Sequence, residues 1–128
     1  MTNRLPYASN YQDLLAYQKA LDLSNRIFIE TKGFPREEAY SLTDQIRRSS
    51  RSVGAQIAEA WGKRRYIKHF VSKLTDASAE LFETEHWLLI AFRCGYLNRE
   101  DQQELMKVCF QINKLIGGMI NKANLFCD

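Results

Sequence analysis

Apolar positions along this chain recur at steps of three and four, the period of one helix face, and no alternating apolar run is bounded by turn residues. From about Tyr11 to Lys32 the stripe is Leu14, Tyr17, Leu21, Ser24 and Phe28, and Gly33 followed by Pro35 predicts the end of that helix. A second helix is predicted from Ser41, whose hydroxyl is placed to cap it and whose neighbour Asp44 suits the positive end of the helix dipole. Its core stripe is Leu42, Ile46, Ser49 or Ser50, Val53, Ile57 and Ala60, stopping near Gly62. The third helix carries Ile67, Phe70, Leu74, Ala77, Leu81, Leu88 and Phe92 on one face, and Gly95 closes it because glycine accepts the left-handed conformation. Asn98 caps the fourth, which turns Leu105, Cys109, Ile112, Leu115 or Ile116, and Met119 inward. Gly117 and Gly118 each weaken it by about 1 kcal/mol relative to Ala, unless another backbone packs closely there.

Four helices with short connections predict antiparallel neighbours, hence an all-α, up-down-up-down four-helix bundle. The 128 residues fit one domain over the whole chain, with 1–10 as a flexible N-terminal segment. The N-terminus has no basic start followed by an apolar run, and no window approaches the ~18 apolar residues of a membrane span. A cytoplasmic location is expected. Cys94, Cys109 and Cys127 are scattered and lack C-x-x-C spacing, so they read as reduced thiols.

The second predicted helix has a second face that does not look like a solvated one. Projected at about 100° per residue, Arg47, Arg51, Gly54, Ala55, Ala58 and Gly62 share a stripe away from the core. A surface helix is normally polar there. Small residues at steps of four admit close approach, so this stripe is expected to be buried against a neighbouring helix or subunit. The third helix lines one side with His69, Lys73, Asp76, Glu80, Glu83 and Trp87. Arg47, Arg48 or Arg51 could pair with Asp76, Glu80 or Glu83 through guanidinium forks. Phe82 and Leu89 add a further apolar strip. So much surface asking for cover points to self-association, with Gly54, Ala55, Ala58, Gly62, Asp76, Glu80 and Glu83 as interface candidates.

Charge sharpens the picture. Net charge is only +3, yet from Arg47 to Lys73 the bases 47, 48, 51, 63, 64, 65, 68 and 73 face the single acid Glu59, while acids outnumber bases from Leu74 onward. Such segregation suits an anionic partner, or equally an acidic face elsewhere in the same assembly. Lys63, Arg64, Arg65, Tyr66 and Lys68 cluster at the joint between the second and third helices. A basic cluster with an aromatic can contact phosphates and stack a base; it can also serve solubility alone. Glu83 and His86 have Glu-x-x-His spacing, but a di-iron bundle needs two such motifs and two further inward glutamates. Neither a nucleophile elbow nor a phosphate-cradling glycine loop is present. No enzymatic activity, metal, cofactor or small-molecule substrate is expected.

With these residues in view, the chain resembles the 23S ribosomal RNA intervening-sequence proteins, relatives of the accessory variability determinants of diversity-generating retroelements. The most specific parts are Phe34-Pro35 with Glu37 and Glu38, the run Leu42-Thr43-x-Gln45-Ile46-Arg47-Arg48, Gln56-Ile57-Ala58-Glu59, and Gly95-Tyr96-Leu97. Gln56 and Ala60 stand where the family pattern has Asn and Gly. The resemblance implies an all-helical protomer assembling into a ring, usually a homopentamer. It also implies nucleic-acid binding, with Arg47, Arg48, Arg51, Lys63, Arg64 and Arg65 as candidates and no catalytic residue. The expected function is therefore that of a non-enzymatic ring that binds nucleic acid, RNA favoured, through repeated basic groups. The alternative is a protein-interaction scaffold whose arginines form intersubunit salt bridges.

Overall fold

The computed structural model describes residues 8–127, so most of the expected flexible segment, residues 1–7, lies outside the described residues. Four long helices dominate: α1 (Leu15–Thr31), α2 (Leu42–Gly62), α3 (Ile67–Arg93) and α4 (Arg99–Asn121), followed by the short α5 (Ala123–Phe126). Single 3₁₀ turns at Tyr11–Asp13 and Arg36–Glu38 lead into α1 and α2. Among the described residues there is no strand, and no helix is long and apolar enough to cross a membrane.

Each helix packs on the next and α4 returns to α1, closing a bundle whose longest seam joins α2 to α3. Cross-links between α2 and its two neighbours run in opposite senses along the paired helices, as an up-down-up-down order requires. Ser49 bonds Thr84 while Lys73 reaches Gln56, and Thr31 meets Arg47 while Tyr17 lies on Gly54. Arg26 reaches Glu104 across the α1–α4 seam. The α2 stripe is buried as predicted, from Leu42 through Ile46, Val53 and Ile57 to Ala60, against Phe70, Leu74, Ala77, Leu81 and Leu88 of α3. The α2–α3 seam also encloses hydroxyls. Ser49 and Thr84 share a bond of 2.8 Å, and Thr84 lies 2.9 Å from the Glu80 carbonyl, so neither is stranded in the apolar interior.

Three sequence expectations change. The inward face of α1 is Leu14 with Ala16, Ala20, Leu23, Ile27 and Thr31, whereas Leu21 is 55% exposed and Tyr17, Ser24 and Phe28 are half-buried. Two apolar stripes compete on that helix, and the one bearing Ala16 and Ala20 wins because small residues let α1 close on α2. In α3, Thr84 and Ala91 join the core while Ile67 is exposed and Phe92 half-buried. The Ser41 hydroxyl does not cap α2; it donates to Glu38 Oε1 at 2.6 Å, and that carboxylate accepts the Leu42 N–H at 3.3 Å. At Asn98 the expected cap is present, its Oδ1 accepting from the Asp101 N–H at 2.7 Å.

Glu38 also ties two distant motifs together. The chain leaves α3 through Gly95 at φ 81°, with the Tyr96 N–H returned to the Ala91 carbonyl at 2.9 Å and the Gly95 N–H to Phe92 at 3.0 Å. That reversal sends the Tyr96 hydroxyl to Glu38 Oε2 at 2.9 Å and its ring to within 5.5 Å of Phe34. Donors from Ser41, Tyr96 and the Leu42 backbone hold the Glu38 carboxyl below the ordinary glutamate value of 4.5. Accepting its proton in return, Glu38 pushes the Tyr96 phenol up to about 12.

Stability from a depressed carboxyl is present above its unfolded value and lost as pH falls through the folded one. Stability from a raised phenol is present below its unfolded value and lost as pH rises through the folded one. The parent's advantage over Glu38→Gln in urea denaturation is therefore expected to be full near neutrality, to shrink below pH 4.5, and to shrink again between pH 10 and about 12. A flat difference across that range would show that the Glu38–Tyr96 bond is not stabilising.

Candidate nucleic-acid interface

Helix α2 ends when the Lys63 N–H turns back onto the Glu59 and Ala60 carbonyls, and the chain reverses through Arg64 and Arg65. Tyr66 then adopts an extended conformation, φ −126° and ψ 120°, as the first flanking residue of α3. This tight joint leaves Lys63, Arg65, Lys68 and His69 exposed, with Tyr66 at 58% and Ile67 at 49%. An open depression of about 500 Å³ is lined by Arg65, Tyr66, Ile67, Lys68 and His69. The His69 ring meets Tyr66 edge-on at 5.4 Å. No side chain caps the first turn of α3 and no acid sits in it, so its outward N–H groups keep their positive end uncovered.

Arg64 behaves differently from its neighbours. Its guanidinium lies 3.6 Å from the Trp61 ring centroid and is half-buried, a stacked placement. It is also close enough to Cys127 to favour the thiolate, although burial is the larger effect and raises that thiol overall.

The arginines earlier in α2 form a separate patch, roughly 18 Å or more along the helix from Lys63 at about 1.5 Å per residue. Arg47 donates from Nε to Thr31 Oγ1 at 2.8 Å and lies 4.8 Å from the Phe28 ring; Arg51 is 5.5 Å and Lys32 4.8 Å from the same ring. Arg48 faces solvent and pairs with Asp44 at 3.1 Å, a bond of small worth. The periodicity of α1 predicts Phe28 in the core, but the ring is half-buried beneath these three cations instead. The signal for this cradle was the i, i+4 spacing of Phe28 with Lys32 facing that of Arg47 with Arg51.

The expected interface residues also divide. Ala55 is exposed and Ala58 half-buried; with Tyr17, Ala20, Leu21, Ser24, Arg51 and Gly54 they line a groove of about 280 Å³ between α1 and α2. Gly54 itself is buried within the protomer, and Gly62 is exposed with no atom within 4 Å of a built Cβ. The pairing of Arg47, Arg48 or Arg51 with Asp76, Glu80 or Glu83 is not made inside the chain. Glu80 accepts from Ser52 at 2.9 Å, Glu83 from Trp87 Nε1 at 3.0 Å, and Asp76 is 4.0 Å from Lys73, which lies 3.0 Å from Glu59. The reason is angular: Arg47 and Arg51 project over α1, while Ser52 and Gln56 project toward α3.

Groups with chemical potential elsewhere are dispersed. Glu83 and His86 are both exposed, and no three His, Cys, Asp or Glu side chains gather to hold a metal among the described residues. Cys109 is buried and its thiol pushed up to about 12, mainly by burial, while Cys94 is exposed.

The model of the 23S rRNA-intervening sequence protein family matches residues 12–118. A crystal structure of a protein with unknown function from the S23 ribosomal protein family of Bacteroides thetaiotaomicron VPI-5482 is similar at 32% identity. It covers 84% of this chain and 96% of that one, with a TM-score of 0.76. No curated protein matches the chain.

A Cβ on Gly54 would stand 3.6 Å from the Tyr17 ring and 3.9 Å from the Ala20 Cβ, ordinary contact distances. Gly54→Ala is therefore expected to fold normally and to gain up to about 1 kcal/mol from helix propensity. Gly54→Leu is expected to lose about 1–3 kcal/mol by overpacking beneath Tyr17. Chemical denaturation of the two variants checks both, and equal effects would contradict the packing described.

Proposed function

The chain belongs to the 23S rRNA-intervening sequence protein family, and from that premise we propose that it is a non-enzymatic, cytoplasmic homo-oligomer that binds nucleic acid, RNA in preference, through basic groups repeated around a ring. The observation that carries this reading is how the positive charge of α2 and early α3 is distributed. Arg48 and Lys73 are committed to carboxylates, and Arg47 to Thr31 and Phe28. Lys63, Arg65 and Lys68 stand together at one end of the bundle with no ion pair to any described residue. Cations kept close without a carboxylate repel one another, and an incoming polyphosphate relieves that repulsion while releasing its own counterions.

Assembly enters because one protomer offers few phosphate contacts, and a ring multiplies them by effective concentration. The groove between α1 and α2 supports a homo-oligomer. It joins exposed Leu21 and the small Ala55 and Ala58 to Arg51, while α3 exposes Phe82 and Leu89 on one flank and Asp76 and Glu83 on the other. Patches that differ but complement each other make a head-to-tail contact, which closes into a ring when the rotation permits. Arg47 and Arg51, unpaired with acids among the described residues, are then available to carboxylates of the next copy.

Two measurements test the proposal. Fluorescence anisotropy with a labelled RNA is expected to show affinity falling steeply between about 50 and 200 mM salt. The triple change of Lys63, Arg65 and Lys68 to Gln should lower the magnitude of the salt slope by about one for each phosphate no longer neutralised. Parent protein that binds no RNA at low salt, or a triple variant that binds as the parent does, would sink it. For assembly, Ala58→Leu is expected to elute as a smaller species in size exclusion with light scattering while keeping its helical circular dichroism. An oligomer retained in that variant would exclude this groove as the contact.

A further inference from the structure

We infer that the joint between α2 and α3 takes an unpaired nucleotide, with its base laid on Tyr66 and its phosphates between Arg65 and Lys68, so that the site selects single-stranded over duplex RNA. This inference rests on the nucleic-acid reading above and narrows it. A surface that only neutralises phosphates needs cations and no apolar floor. Here both line the depression: the exposed apolar side chains of Tyr66 and Ile67, and the basic Arg65 and Lys68 with His69. Two large apolar side chains, Tyr66 and Ile67, stand exposed at a basic turn whose Lys63, Arg65 and Lys68 lack carboxylate partners among the described residues, and a flat apolar group laid on them would take that surface out of water.

The chemistry of the occupant follows from the two halves of the site. Covering Tyr66 needs a planar π-face, and Lys and Arg beside it need an anion a few ångströms from that face; a nucleotide with its base unstacked supplies both. In a duplex the base faces are stacked on one another and only edges and backbone are presented, so Tyr66 would be left uncovered. The first turn of α3, which no side chain caps, leaves backbone N–H donors at the same joint. His69, edge-on to Tyr66 at 5.4 Å, braces the ring. Arg64 has a different part: its guanidinium, stacked on Trp61 at 3.6 Å, is a positioning residue that anchors the turn. This separates residues that adjoin in sequence into two that contact phosphate, one that contacts base and one that holds the loop.

The test compares a labelled twelve-nucleotide oligouridylate with a blunt RNA duplex of about the same length, at one low salt concentration, using the full chain and the variants Tyr66→Ala and Tyr66→Phe. Stacking on an aromatic is worth about 1–3 kcal/mol per base, so Tyr66→Ala should weaken single-strand binding about fivefold or more. Tyr66→Phe should restore it, and both variants should bind duplex as the parent does. Quenching of tyrosine fluorescence on adding the single strand, lost in Tyr66→Ala, is expected alongside. If the parent binds RNA but prefers the duplex, or Tyr66→Ala binds the single strand as well as the parent, this inference fails and the nucleic-acid reading stands. If the parent binds neither probe, both fail together. Tyr66 is exposed, so the variants are expected to fold, and an unchanged thermal melt confirms that binding losses are local.

Discussion

The packing of α2 on two sides at once is the constraint from which the rest of the structure follows. Toward α3 it buries Ile46, Val53, Ile57 and Ala60, and toward α1 it presents Gly54 to Ala20 and Tyr17. A helix held this closely on both flanks can carry few large side chains, and the hydroxyls it does bury must find partners. Ser50 bonds the Arg47 carbonyl at 3.2 Å and Ser49 bonds Thr84 at 2.8 Å. Each bond replaces one that water would have made, which is what lets polar atoms sit in an interior that otherwise penalises them. Ser49-Ser50 and Gly54 in the middle of this helix are therefore signs of close neighbours rather than of weak helix-forming tendency.

That constraint also sorts the charge. Large cationic side chains excluded from the two seams are driven to the helix edges or to its end. At the edge, Arg47 and Arg51 settle on Phe28 with Lys32, where ring electrons partly offset their mutual repulsion. At the end, the turn after Gly62 gathers Lys63, Arg65 and Lys68, which lie over no aromatic ring among the described residues, while Arg64 between them stacks on Trp61. One basic run in the chain thus becomes two surfaces of different character. The first lies beside an apolar groove and suits a protein neighbour; the second surrounds an exposed aromatic and suits a nucleotide. The two halves of the proposed function need not compete for the same residues.

The Glu38–Tyr96 bond gives the bundle its remaining closure. The 3₁₀ turn before α2 and the turn after α3 lie far apart in sequence, yet one carboxylate caps α2 and accepts the tyrosine hydroxyl. Phe34, buried, lies against the Tyr96 ring at the same corner, and Leu97 is buried beside it in sequence. Two of the motifs that carried the family resemblance, Phe34-Pro35 with Glu38 and Gly95-Tyr96-Leu97, are in this way two halves of one structural device. Their distinctiveness speaks to the fold, and Lys63, Arg65 and Lys68 lie outside both.

By itself the sequence determined the number of long helices, their limits to within a few residues, the buried face of α2 and most of that of α3 and α4, the Asn98 cap and the Gly95 reversal. These depend on periodicity and on local backbone preferences, which act over a turn or two and are written in neighbouring residues. Tertiary structure alone decided which of two apolar stripes on α1 turns inward, because Leu21 and Ala20 are both acceptable to a helix and only the closeness of α2 favours the smaller. It decided that Glu38 rather than Ser41 caps α2, and that Gly54 lies under Tyr17 of its own chain. It also withdrew Arg64 onto Trp61 and separated Arg47 and Arg51 from Asp76, Glu80 and Glu83. Each of these turns on the direction of a side chain relative to another helix, a quantity that spacing along one helix does not contain.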